Sequence, residues 1–119
     1  MYEKNKGYDY EKISHKYLLA NGYKIIEKNF NCRMGEIDVI ASKDGILHFV
    51  EVKGRLNTDH GYPRESVNKS KQKRIISSAK YYFMLKGSDD VPCQFDVIEI
   101  IIENKEINHI ENAFWTSTW

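Results

Sequence analysis

An aspartate followed by a glycine, at positions 44 and 45, places a tight turn near the middle of this 119-residue chain. Both residue types tolerate positive φ angles, and an Asp-Gly pair between two apolar runs is a strong signal for a two-residue β-hairpin loop. The flanking runs, residues 35–42 and 46–53, are rich in the branched apolar residues that favour strands. The sequence therefore predicts an antiparallel hairpin over residues 35–53, which any fold of this chain must accommodate.

A two-residue loop also fixes which residues of the hairpin lie opposite each other. Counting back from the turn places Asp38 opposite Glu51, and Glu36 opposite Lys53. Opposed residues of an antiparallel pair have Cβ atoms roughly 4.5–5.5 Å apart, so two carboxylates in such a pair repel each other. A divalent cation would offset that repulsion, and we therefore predict a metal site at Asp38 and Glu51.

Strand alternation predicts that the hairpin has one core face and one face with a polar end. The core face is expected to carry Ile37, Val39, Ala41, Val50 and Val52. The other face carries the charged residues together with Ile40, Leu47 and Phe49, and such a mixture is typical of an active-site floor. The competing interpretation is a pair of surface ion pairs, one of them between Glu36 and Lys53. That interpretation leaves the opposition of Asp38 and Glu51 unexplained.

Composition narrows the class of protein. Charged residues make up 29% of the chain at a formal net charge of +1, and no apolar run approaches the ~20 residues of a membrane helix. Cys32 and Cys93 are too far apart for a Cys/His zinc motif, so we expect free thiols in a reducing compartment. The expectation is a cytoplasmic protein with no membrane partner, forming a single domain over residues 1–119 with residues 1–7 flexible.

The remaining sequence predicts helices and strands on both sides of the hairpin. A helix is expected over residues 9–21, with Asp9 as N-cap and Asn21-Gly22 as its end. The other expected elements are a strand over residues 23–33, a helix over 66–86, a strand over 93–102 and a short edge strand over 106–110. The order αβββαβ(β) defines an α/β fold with a mixed central sheet flanked by helices. The strand after the second helix can join that sheet in parallel.

Two further predictions concern packing. Leu85 is expected on the apolar side of the second helix, and the aromatic tail residues Phe114 and Trp115 are expected to dock on the body.

The acids and the lysine of the hairpin suit phosphodiester cleavage. Asp38 and Glu51 offer the hard oxygen ligands that Mg2+ or Mn2+ prefers, and the backbone carbonyl of Val52 could complete the set. Lys53 could orient the attacking water or stabilise charge in the transition state. Residues 64–74 contain five basic residues against one acid, a basic patch that could hold a nucleic-acid backbone.

The segment Glu51-Val52-Lys53, on a strand that follows a hairpin acid, resembles the motif of the PD-(D/E)XK nuclease superfamily, whose core is restriction-endonuclease-like. A longer ordered series of motifs resembles the YraN-like family of bacterial proteins, which are predicted endonucleases similar in fold to archaeal Holliday junction resolvases. This resemblance covers residues 7–115. The motifs that carry it include Glu11, Gly35-Glu36-Ile37-Asp38, Phe49-Val50-Glu51-Val52-Lys53, Arg55, Lys71 and Phe95-Asp96-Val97.

The resemblance implies a metal-dependent endonuclease that cuts DNA, with branched DNA as a candidate substrate and Mg2+ or Mn2+ as cofactor. By position, Asp38 and Glu51 would be metal ligands and Lys53 the catalytic lysine. Glu11 would be the acid that approaches the site from the first helix. Glu36 is either an extra metal ligand or the partner of Lys53. Because resolvase-like nucleases often act as dimers, a homodimer is a further expectation.

The basic residues near these motifs are the candidates for DNA binding: Arg55, Lys69, Lys71 and Arg74. Among the histidines, His48 is expected to be packed in the core, and His15 and His109 to lie at the surface. Tyr10 and Ser14 depart from the family pattern, in which small residues are usual at these positions.

Two other classes of function compete with the nuclease. One is a non-catalytic nucleic-acid-binding or assembly module that keeps the fold without turnover. The other is a protein–protein adaptor, for which the aromatic residues Phe114, Trp115 and Trp119 would have to supply the interface.

Overall fold

The computed structural model describes residues 8–87 and 91–115, so residues 1–7 and Trp119 lie outside the described part. The helices are α1 (Tyr10–Ala20) and α2 (Lys69–Lys86), and a short 3-10 helix covers Pro63–Ser66. The strands are β1 (Lys24–Cys32), β2 (Gly35–Lys43), β3 (Ile46–Arg55), β4 (Cys93–Ile101) and β5 (Glu106–Phe114). None of the helices in these two ranges combines the length and apolar character that a membrane crossing requires.

The five strands form one mixed sheet in the order β1-β2-β3-β4-β5. Strands β3 and β4 are parallel, because α2 carries the chain back across the sheet, and every other neighbouring pair is antiparallel. One buried cluster lies between the sheet and α1, and a second lies between the sheet and α2. The predicted α/β class and element order are therefore confirmed, and the arrangement is compatible with a restriction-endonuclease-like fold.

The predicted β2–β3 hairpin is present with its predicted turn. Asp44 and Gly45 have φ angles of 53° and 81°, as a two-residue loop of this kind needs. The register runs as counted from the turn up to the pair Val39–Val50, where the ladder between the two strands ends. Asp38 and Glu51 are the next positions in this register.

The expected opposition of Glu36 and Lys53 is wrong. Glu36 lies opposite Asn31 of β1 and is not part of the β2–β3 ladder. The physical reason is that β2 separates from β3 beyond Val39, and a side chain, that of Asp38, takes the backbone amide that a paired strand would have used.

Both faces of the hairpin are buried, and the prediction for its core face is wrong at one position. Val39 and Ala41 belong to the cluster on the α1 side, as predicted, but Ile37 belongs to the cluster on the α2 side. The regular alternation breaks around Asp38. The paired positions of β1 and β2 skip Asp38 and its counterpart Asn29, which has a φ angle of 53°, although the register itself does not shift there.

Helix α2 begins later than predicted, at Lys69. Asn68 caps it by accepting a hydrogen bond from the Lys71 amide at 3.0 Å, and the preceding residues form the 3-10 helix instead. Asp9 caps α1 in the same way, as predicted. The first turns of both helices are thus set by short polar side chains.

The C-terminal half contains two further corrections. Leu85, predicted on the apolar side of α2, is 56% exposed, because Phe83 takes the inward position. Strand β5 extends to Phe114 rather than ending at residue 110, and Phe114 stacks on Phe95. Trp115 is 69% exposed, so only one of the two aromatic residues expected to dock does so. Both cysteines are free thiols, as predicted.

Candidate active site

A cavity of about 270 Å³ lies where β2 and β3 separate, and it is walled by α1 on one side and α2 on the other. It brings together all the residues that the sequence predicted as metal ligands or catalytic residues, and α2 adds one lysine. The lining residues are Glu11, Glu36, Asp38, Glu51, Val52, Lys53 and Lys71. The sheet supplies the central acids because its two middle strands diverge at this point.

Asp38 forms the buried floor of this cavity, with 8% of its surface exposed. Its Oδ2 accepts a hydrogen bond of 2.8 Å from the Val52 amide, which holds the carboxyl group across the gap between the strands. In a strand, the N–H and C=O groups of one residue point to the same neighbouring strand. The Val52 carbonyl is therefore directed toward the cavity, on the side where β2 no longer pairs with it.

The surroundings of Asp38 raise its pKa to about 8 in the metal-free protein. Burial is the main cause, followed by the negative charge of Glu51, with a smaller contribution from the charge of Glu11. The hydrogen bond from the Val52 amide acts in the opposite direction. The crowding of carboxylates that the sequence predicted is thus a property of the folded site.

Glu51 lies between two lysines. Its Oε2 is 3.5 Å from Lys53 Nζ and 3.3 Å from Lys71 Nζ, while the carboxylate itself is 7% exposed. Burial lowers the pKa of Lys53, and the neighbouring ammonium group of Lys71 lowers it further. Lys53 therefore pairs with Glu51. The sequence had offered Glu36 as its partner.

Glu11 reaches the cavity because of how its helix packs. Tyr10, the residue before it, is fully buried and lies directly on Gly54, where an added Cβ would be 2.2 Å from the tyrosine ring. This contact sets the first turn of α1 against the end of β3. Tyr10 thus fits the fold without displacing the acid, which answers the departure from the family pattern at this position.

The donor set of the cavity fits a divalent cation. Four carboxyl groups face two ammonium groups, so the fully ionised cavity has an excess of two negative charges. Its donors are carboxylate oxygens and one directed carbonyl, which are the ligands preferred by Mg2+ and Mn2+. Asp38, Glu51 and the Val52 carbonyl would hold such an ion, with Glu36 and Glu11 at the cavity wall.

A second, larger cleft of about 510 Å³ opens beside the cavity and shares Glu36, Glu51 and Lys71 with it. The rest of its lining comes from the β1–β2 turn and from α2, namely Asn31, Cys32, Arg33, Met34, Gly35, Arg74 and Ile75.

Only two of the four basic residues predicted to bind DNA line this cleft. Lys71 and Arg74 line it, whereas Arg55 and Lys69 line neither the cavity nor the cleft. Arg64, from the same basic patch, is engaged with the buried Glu99. Arg33 was missed, and the only sequence signal for it is a basic residue just before the glycine that opens the acidic strand.

A separate polar cluster lies on the α1 side of the sheet, where the ligand-type atoms of His48, Asp96 and His109 fall within 4.8 Å of one another. Asp96 Oδ2 accepts hydrogen bonds from His48 Nδ1 at 2.7 Å and from His109 Nε2 at 2.8 Å. Its other oxygen accepts from Gln94 and from the Asn112 amide, each at 3.0 Å. Burial acts to raise the pKa of Asp96, but these hydrogen bonds outweigh it, and the pKa is lowered.

The two histidines of this cluster give opposite outcomes for the sequence predictions. His48 is a packed core residue, as predicted. His109 was expected at the surface, and that prediction is wrong, since its side chain is only 6% exposed. The pairing of β5 with β4 brings His109 next to Asp96, with the Tyr17 hydroxyl 3.1 Å from its other ring nitrogen.

The fold and cavity define an α/β protein with an acidic, lysine-flanked cavity where two central strands of a mixed sheet diverge. The chain belongs to the uncharacterised protein family UPF0102, whose family model matches residues 10–100. It is 48% identical to a UPF0102 protein of Clostridioides difficile strain 630 over 114 residues, covering 96% of this chain and 100% of the relative. A UPF0102 protein of Clostridium perfringens strain ATCC 13124 is 49% identical over 117 residues, covering 95% and 96% of the two chains. The resemblance to the YraN-like family is thereby confirmed as membership of UPF0102, and the nuclease character that the sequence implied stays a prediction.

Proposed function

We propose that this protein is a metal-dependent endonuclease that hydrolyses DNA phosphodiester bonds in the cytoplasm, with branched DNA among its substrates. The observation that supports the proposal is one cavity in which two buried carboxylates, Asp38 and Glu51, meet the ammonium group of Lys53. A site for a structural ion would not need a partly buried lysine beside its ligands. A site for an anionic substrate would, because that lysine can contact the phosphate.

Each side chain has a role that follows from its position. Asp38, Glu51 and the Val52 carbonyl would hold Mg2+ or Mn2+, which when bound supplies charge neutralisation and Lewis acidity at the phosphate. Lys53 has a lowered pKa, caused first by burial and then by Lys71, so it can exchange a proton with a reacting water more readily than an exposed lysine. Lys71 lines both the cavity and the cleft and would contact a phosphate oxygen.

A cleavage assay tests the proposal on linear duplex, single-stranded, flap and four-way-junction DNA, with Mg2+ or Mn2+ and with EDTA. Wild type is compared with Asp38→Asn and Lys53→Ala, and exposed Asp59→Asn is the matched control for loss of one carboxylate. We expect metal-dependent cutting by wild type and by the control, and a loss of at least about 100-fold in both site variants. Light scattering on the same samples tests for a homodimer.

Three results would contradict this proposal in different ways. Equal cutting by wild type and both site variants would identify a contaminating nuclease. Binding of DNA without cutting would favour the non-catalytic module. Absence of Mn2+ binding that depends on Asp38 and Glu51, measured by calorimetry, would remove the metal site itself.

A further inference from the structure

The cleft beside the cavity has a fixed shape. Gly35, which opens β2, lies so close to α2 that an added Cβ would be 3.3 Å from Arg74 Cβ and 3.3 Å from Ser78 Oγ. Next to it, the Cys32 thiol donates a weak hydrogen bond of 3.4 Å to Ser78 Oγ. The β1–β2 turn is thus anchored on the helix, and the cleft between them is preorganised.

Two of the three cations that line this cleft are free to meet a ligand. The Lys71 ammonium is already paired with Glu51. Arg33 and Arg74 are exposed, and within residues 8–87 and 91–115 neither guanidinium forms an ion pair with a carboxylate. Met34, on the turn, adds a partly exposed apolar side chain to the lining, whereas Ile75 of α2 is 3% exposed and belongs to the core.

We propose that this cleft binds a single unpaired nucleotide next to the scissile phosphate, with Arg33 and Arg74 on its phosphate and with Met34 against its base. This inference rests on the proposed nuclease function, because the cleft opens into the candidate metal cavity through Glu36, Glu51 and Lys71. It narrows the substrate from DNA in general to DNA in which one nucleotide beside the cut lies outside the stack.

Size and chemistry both favour one unpaired nucleotide over a base pair. A volume of about 510 Å³ lies in the range of roughly 300–1,000 Å³ that is usual for pockets taking one small molecule. The faces of a stacked base are covered by its neighbours, so apolar side chains can contact them only after the base leaves the stack. Two exposed guanidinium groups together with the apolar side chain of Met34 match a nucleotide, which is anionic at one end and flat and apolar at the other.

The test is a binding measurement in the Asp38→Asn background, so that cleavage does not interfere. The probes are two 20-base-pair duplexes of one sequence, in which 2-aminopurine is either paired or forms a one-nucleotide bulge. We expect the bulged duplex to bind at least about fivefold more tightly, with a change in 2-aminopurine fluorescence. Arg33→Ala and Arg74→Ala should each weaken binding of the bulged duplex roughly threefold to tenfold.

Two control variants separate a specific site from general charge. Lys24→Ala removes one exposed cation from the far end of β1 and should leave the preference for the bulge unchanged. Met34→Ala should reduce the preference without changing affinity for the paired duplex, because it removes contact with the base and no charge. Thermal unfolding of each variant checks that the fold is kept.

The outcomes separate this inference from the proposed function. Equal affinity for the two duplexes, or an equal loss in Lys24→Ala and the arginine variants, would overturn the cleft site even if the wild-type protein cuts DNA. A bulge preference that depends on Arg33, Arg74 and Met34 would support the cleft site even if no metal-dependent cutting is found.

Discussion

At the level of single residues, Asp38 decides the character of the candidate site. It stands where β2 leaves β3, takes the place of a strand partner for the Val52 amide, and lies beside a second carboxylate. A regular strand pair would leave no room for an ion between the strands. The divergence of the strands and the presence of the acid are therefore one structural feature.

The raised pKa of Asp38 predicts how the metal-free protein responds to pH. Its pKa is about 8 in the folded state, mainly through burial and then through the charge of Glu51, against roughly 4 in an unfolded chain. Between these values the folded protein holds a proton that the unfolded chain releases, so this group makes stability fall as pH rises through that window. In EDTA at pH 9, Asp38→Asn should raise the melting temperature, through a gain in unfolding free energy on the order of a few kcal/mol. At pH 4 the substitution should change the melting temperature little.

Adding a divalent cation should make wild type more stable than Asp38→Asn. An ion that binds only the folded protein stabilises it by mass action, and the wild-type carboxylate is one of its ligands. At pH 8, Mg2+ or Mn2+ should raise the melting temperature of wild type and leave that of Asp38→Asn nearly unchanged. If Asp38→Asn melts like wild type at pH 9 without metal, ionisation of Asp38 does not reduce the stability of the folded protein. The exposed Asp59→Asn serves as control.

Some residues of the site could be predicted from local sequence patterns, one only from the family resemblance, and one not at all. Asp38 and Glu51 followed from counting along a hairpin, because a two-residue turn fixes the register locally. Glu11 came only from the family resemblance, since nothing local shows that a helix acid reaches a strand. Arg33 was missed because the docking of its turn on α2 depends on a close approach at Gly35, which is tertiary.

At the level of elements, the contact between α1 and β3 positions one acid of the cavity. Gly54 follows Lys53 on β3, and the Tyr10 ring fills the space where a side chain at Gly54 would be. Because Glu11 is the next residue on the helix, a shift of α1 would move it relative to Asp38 and Glu51. The missing Cβ at Gly54 therefore matters for the site as well as for the core.

Gly54→Ala tests this packing. The new methyl group would overlap the Tyr10 ring, and overpacking of this kind costs typically 1–3 kcal/mol, so the free energy of unfolding should fall by at least that amount. Metal affinity should also fall, since Glu11 and the end of β3 move apart. Chemical denaturation and Mn2+ titration measure the two effects.

A double-mutant cycle provides the control for Gly54→Ala. Tyr10→Ala alone leaves a cavity and is expected to cost several kcal/mol. The double variant Tyr10→Ala/Gly54→Ala should lose less stability than the sum of the single losses, because the methyl group then fills part of the space left by the ring. Strict additivity would mean that the two positions do not contact each other as described.

The order and class of the elements could be predicted well because they depend on local signals: caps, the Asp-Gly turn and apolar periodicity. The failures all have a non-local cause. Helix α2 starts late because Pro63–Ser66 forms a 3-10 helix against β4, where Glu99 accepts from Arg64. Ile37 changes face because β2 is distorted at Asp38, and β5 is longer because it pairs with β4 up to Phe114.

At the level of the whole molecule, α1 spans two polar groups with different chemistry. Glu11, in its first turn, lines the acidic cavity, and Tyr17, near its last turn, contacts His109 in the cluster around Asp96. In that second cluster every oxygen of Asp96 has two donors, which ties β3, β4 and β5 together. We therefore expect the cluster around Asp96 to hold the fold and the acidic cavity to bind the metal ion.

Asp96→Asn tests this division between stability and function. The pKa of Asp96 is lowered in the folded state: burial acts to raise it, but the hydrogen bonds led by His109 outweigh burial. Its contribution to stability is thus present above the unfolded pKa, roughly 4, and is lost as pH falls through the lower folded value. Near pH 7 the variant should lose about 2–4 kcal/mol of unfolding free energy, because its amide N–H group faces ring N–H donors. The loss should shrink below pH 4, while Mn2+ affinity at 10 °C stays within about twofold of wild type.

Exposed Glu103→Gln is the matched control and should change neither the unfolding free energy nor the Mn2+ affinity. A large loss of Mn2+ affinity in a folded Asp96→Asn protein would show that the acidic cavity and the cluster around Asp96 act as one.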